Sequence, residues 1–180
     1  MRKALHIVFA LGAALAAARA DAYCVRNAIT DRAVHAAVVP SKMPTAVKTF
    51  SETVAGGKEY CCNPKNADCN PDHASDDATL TFEVSIEPAP PPPRDAPPAP
   101  RDAALASLKC GVTDPKAQGR AMAIAPVRGF LRLEPNPRYD ARRKVGGDNP
   151  PFLLKALTAD NKLVATYPCP ARGLSETPRS

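Results

Sequence analysis

Prolines close the helical route for most of this chain. There are 21 of them. Each one inside a helix removes a backbone donor and clashes with the preceding turn, at about 3 kcal/mol. Beyond the N-terminal segment no window of fifteen residues combines a proline-free run, a 3.6-residue apolar period and credible caps. Extended strands separated by turns are what remains. Thr79 to Ile86 states this most clearly, with Leu80, Phe82, Val84 and Ile86 alternating against Thr79, Thr81, Glu83 and Ser85. A period of two over eight residues makes a strand with one buried face.

Shorter strands are expected at Tyr23 to Ile29, Val34 to Val39, Arg120 to Ala125 and Val127 to Glu134, with a short turn or strand over Ala104 to Cys110. Two pairs of segments read as hairpins. Val47 to Val54 and Glu59 to Cys62 flank Ala55-Gly56-Gly57-Lys58, and Phe152 to Thr158 and Leu163 to Tyr167 flank Ala159-Asp160-Asn161-Lys162. Seven to nine short strands with turn-rich connections predict an all-β fold, a small disulfide-stapled antiparallel β-sandwich. Residues 88 to 100 consist of prolines, alanines, one arginine and one aspartate, and form an inserted proline-rich loop of polyproline II character. Within it Pro93-Arg94-Asp95-Ala96 recurs as Pro100-Arg101-Asp102-Ala103, as a small duplication would leave it. An exposed spacer is the expected role, with docking to an aromatic-lined groove as the alternative.

The first residues set the compartment. Met1-Arg2-Lys3, an apolar run from Ala4 to Ala17, and small residues before a cut after Ala20 or Ala22 have the three parts of a secretory signal peptide. The expected organisation is a cleaved segment 1–20 followed by one domain, 21–180. The run is too short to span a bilayer, and no later segment is more apolar. Tyr23 before Cys24 argues against lipid attachment there. Loss of Arg2, Lys3 and Arg19 brings the formal charge from +6 to +3, no nucleic-acid footprint, and without tryptophan there is little to stack on bases or sugars.

All six cysteines lie beyond the cut, in what should be an oxidising compartment, and are read as disulfides. Cys61 and Cys62 are adjacent, so in a strand they face opposite ways and need different partners. Cys62 and Cys69 bracket a polar loop suited to a local bridge, Cys61 can then reach Cys24, and Cys110 and Cys169 remain. No Cys-x-x-Cys spacing supports a zinc or redox site instead.

Two clusters offer binding chemistry. Asp68, Asn70, Asp72 and Asp76 fall at the first, third, fifth and ninth positions of a calcium loop, so calcium is the one cofactor the sequence suggests. His73 stands where that loop needs glycine, and Thr79 where it needs a bidentate glutamate. The alternative is a solvated turn. Arg138, Tyr139, Arg142 and Arg143, with Lys144, form the one basic run, which reads either as a solvated loop between strands or as a contact for a protein partner, an anionic cell-surface polysaccharide or lipid headgroups. His35 reads as a strand residue facing solvent. The two histidines beyond the cut are a thin basis for a transition-metal centre, and no Gly-x-Ser-x-Gly elbow is present.

The outline resembles small exported β-domains of bacteria, and no motif in it singles out a family. The functional expectation is a periplasmic or secreted, non-enzymatic binding or structural domain. A weak calcium-binding protein and a secreted hydrolase with carboxylate chemistry are the alternatives.

Overall fold

A computed structural model describes residues 23–41, 48–63, 65–88, 107–114, 119–170 and 172–173. The signal segment and most of the proline-rich loop lie outside these residues. The described part is all-β. It holds β1 (Tyr23–Asn27), β2 (Val34–Val39), β3 (Ser51–Val54), β4 (Glu59–Cys62), β5 (Thr79–Ile86), β6 (Leu108–Cys110), β7 (Val112–Asp114), β8 (Arg120–Pro126), β9 (Gly129–Pro135), β10 (Phe152–Thr158), β11 (Leu163–Cys169) and β12 (Arg172–Gly173).

These strands form two sheets. The first has the order β11-β10-β9-β1-β4, the second β12-β7-β8-β5-β2-β3, with β6 also pairing β5. Most pairings are antiparallel, but β1 runs parallel to β9, and β12 parallel to β7. The alternating residues meet between the layers. Tyr23, Val25, Leu131, Leu133, Leu154 and Ala156 from the first sheet face Val34, Ala36, Val38 and the Leu80–Ile86 set from the second. Phe82 is fully buried, which contributes about 2 to 3 kcal/mol. The Tyr23 ring meets it edge-on at 5.2 Å and meets Phe50 in the same way at 5.3 Å. Burial pushes the Tyr23 phenol far above its ordinary range, with the Tyr60 charge adding to the rise, so the group stays neutral in the core.

The Gly-Gly turn corrects one expectation. Residues 51–54 and 59–62 do not form a hairpin: β3 pairs β2, whereas β4 pairs β1, so Ala55 to Lys58 carries the chain from one sheet to the other. Gly56 is required by close approach, because a Cβ there would lie 2.2 Å from the Thr30 carbonyl oxygen. Buried Asn27 fixes the crossing. Its Nδ2 donates to Arg32 O at 2.7 Å and Val54 O at 3.1 Å, and its Oδ1 accepts from Ile29 N at 3.1 Å. A carboxamide suits this place because it donates and accepts at once.

Three disulfides join Cys24 to Cys61, Cys62 to Cys69 and Cys110 to Cys169, the pairing that the spacing favours. Cys24 and Cys61 sit opposite each other in register on β1 and β4, with Cys61 exposed and its neighbour Cys62 buried. Cys110 and Cys169 are wholly buried and bridge the two sheets. Beside them Gly111 N donates to Pro168 O at 3.2 Å. The Tyr167 hydroxyl accepts from Ile124 N and donates to Ile124 O, each at 3.0 Å, covering β8 backbone groups from the opposite sheet.

The β10–β11 hairpin forms as expected. Its turn is clasped by Asp160, which accepts from Lys162 and from the Thr158 hydroxyl at 2.6 Å. These two partners hold the carboxyl down at about 2. The clasp therefore adds stability above the ordinary value of 3.8 and loses it as pH falls through about 2.

Candidate functional site

The basic run lies in the loop between β9 and β10, and two asparagines build that loop. Asn136 closes its base: N donates to Pro151 O at 2.8 Å, Nδ2 to Pro150 O at 2.7 Å, while Oδ1 accepts from Arg138 N and O from Tyr139 N, each at 3.0 Å. Asn149, only 4% exposed, holds the far part. Its Oδ1 accepts from Asp140 N at 3.0 Å, and its Nδ2 donates to Asp140 O at 2.9 Å and Lys144 O at 3.4 Å. Asp140 is itself committed to the backbone, with Oδ1 accepting from Arg142 N at 2.9 Å and O from Arg143 N at 3.0 Å. Loops seldom offer so many backbone partners without a ladder, and here side-chain amides supply them.

The consequence is electrostatic. Arg138, Arg142, Arg143 and Lys144 are all exposed, and among the described residues none of them pairs with an acid. Tyr139 is half-buried at their base. Three guanidinium groups on an ordered backbone can grip carboxylate, sulfate or phosphate with paired donors. The sequence reading found these cations but missed the asparagines. A signal was there: both stand directly before proline, in Asn136-Pro137 and Asn149-Pro150, the dipeptide that opens turns.

The candidate ligands of the acidic loop each meet a group of the protein. Asn70 is buried, with Nδ2 donating to Ala74 O and Oδ1 accepting from Ala74 N, both at 2.8 Å. Asp72 accepts from Ser41 N at 2.8 Å, Asp76 pairs with Arg128 at 2.5 Å, and Asp68 lies 3.8 Å from Lys48. His73 does make the sharp turn, at φ 48°. Asp68, Asp72 and Asp76 thus have separate protein partners, and no three carboxylates of the loop gather at one point. Among the described residues the only such gathering is Cys24, Glu59 and Cys61, whose sulfurs are committed to a disulfide. Millimolar calcium is accordingly expected to leave the melting temperature unchanged in a thermal scan; a rise of several degrees, abolished by Asp68→Ala and Asp72→Ala together, would restore the calcium site.

His35 is a half-buried strand position. Its Nδ1 and Nε2 lie 3.3 Å from the Thr53 and Ser51 hydroxyls. Among the described residues no helix is long and apolar enough to cross a membrane. No family model, no curated protein and no solved structure matches this chain.

Proposed function

We propose that this protein is an exported, non-enzymatic binding domain whose β9–β10 loop docks on an anionic cell-surface polysaccharide. The observation that carries this reading is the combination of four exposed cations, which pair with no acid among the described residues, and a loop backbone held by buried Asn149. A rigid scaffold with an ordered functional loop loses little entropy on binding. Export to the periplasm or beyond is supported by the N-terminal segment and by three disulfides, a feature typical of such compartments. Neither calcium binding nor carboxylate hydrolysis gains an observation of comparable weight.

The test is a calorimetric titration of the full chain with an acidic polysaccharide and with a neutral one. Only the acidic polymer is expected to bind, with affinity falling as salt rises. Arg138→Ser, Arg142→Ser and Arg143→Ser combined should weaken it roughly 100-fold, at about 1 kcal/mol per exposed cation facing an anionic surface. Equal binding of both polymers, or an unaffected triple variant, would reject the loop as the contact.

A further inference from the structure

The outer face of the second sheet carries a notch that the loop reading does not use. On one edge of β5, residues 79–82 pair with β8 and residues 84–86 pair with β6, so Glu83 lies opposite neither strand. β8 leaves β5 there to pair with β7. The chain can follow β6 on one strand and β7 on the other because Gly111 stands between them at φ +129°; a Cβ at that point would lie 2.3 Å from the Met122 carbonyl oxygen. What results is a cavity of about 110 Å³, lined among others by His35, Ala37, Glu83, Ser85, Lys109 and Ala121. At about 30 Å³ per water, it holds three to four waters or one very small organic molecule.

Its lining holds one ammonium, Lys109, and one carboxylate, Glu83. Lys109 faces Ser85 in register, and Ser85 faces His35 on the other side. Glu83 is two residues along β5, so the ammonium and the carboxylate stand diagonally, with Cβ atoms about 7 Å apart. They make no ion pair with each other. Glu83 instead reaches Arg120 at 3.5 Å, with both side chains over 40% exposed, a pair that holds weakly and yields readily to a competitor. Ala37 and Ala121 bring no charge. A lone anion here would meet Glu83, and a lone cation would meet Lys109. A molecule bearing both charges satisfies both.

We propose that this notch binds a small zwitterion, an α-amino acid with a side chain no larger than a methyl group. Its carboxylate lies toward Lys109 and Ser85 and its ammonium toward Glu83. This site is separate from the basic loop and stands or falls without it.

The test is an NMR titration of the ¹⁵N-labelled full chain with L-alanine, acetate and methylammonium. Alanine is expected to give saturable shifts at amides of β2, β5 and β6, with the two single-charge probes at least tenfold weaker. Lys109→Gln and Glu83→Gln should each weaken alanine binding at least tenfold. Ala37→Leu, which fills the notch and leaves every charge in place, should abolish it and serves if a charge variant disturbs the fold. Shifts that do not saturate, that acetate reproduces at equal strength, or that survive Ala37→Leu would overturn the site.

Discussion

Replacing Cys110 and Cys169 together by alanine is expected to remove about 4 kcal/mol of stability, the loss that chain-entropy arguments assign to a closure of this length. Against a total of about 5 to 15 kcal/mol for a domain, that is a large share. The bridge spans 59 residues of sequence and ties one sheet to the other. It also fixes the end of β11, from which Pro168 and Tyr167 reach Gly111 and Ile124. The matching pair Cys62→Ala and Cys69→Ala, across 7 residues, should lose only about 2.5 kcal/mol. Urea unfolding of the three proteins gives the order directly, and a smaller loss from the long closure than from the short one would show that the sheets are held by packing alone.

Asn149→Ala is the second variant with a large expected effect, and it removes no charge. Two good hydrogen bonds to Asp140 disappear from a buried position, at about 1 kcal/mol each, and the 138–144 backbone loses its fixed form. Hydrogen exchange at Asp140 and Arg143 should accelerate, and affinity for the acidic polysaccharide should drop at least tenfold with net charge unchanged. Undiminished binding by a loop whose amides exchange freely would mean that charge density suffices and geometry is irrelevant.

How much of this could be read beforehand depends on the range of the interaction. The alternation in Thr79 to Ile86 and the Phe152 to Tyr167 hairpin are local patterns, and both form as read. The disulfide pairing was accessible because adjacency of Cys61 and Cys62 forces them to opposite faces, and the structure buries one and exposes the other. The Gly56-Gly57 turn misled, since a hairpin and a sheet-to-sheet crossing use the same local chemistry. What separates them is the contact with Ile29 and Thr30 and the anchoring by Asn27, all distant in sequence. In the acidic loop, residue types and spacing suggested convergence, but the contacts of Asp72, Asp68 and Asp76 with Ser41, Lys48 and Arg128 are distant in sequence and could not be read from them. Of the basic loop, the charges and the two Asn-Pro turns were legible, but not the burial of Asn149, because a buried asparagine and an exposed one look alike in sequence.

The parallel pairing of β1 with β9 has a consequence for the order of assembly. Tyr23 to Asn27 is the earliest described strand, yet one of its two neighbours, Gly129 to Leu133, follows about a hundred residues later. A chain emerging from its N-terminus through a ribosome or a membrane pore cannot complete this sheet piece by piece. The leading strand must wait, with Tyr23 and Val25 uncovered, until most of the polypeptide has followed. Such a topology delays closure of the sheet until the later strand has arrived.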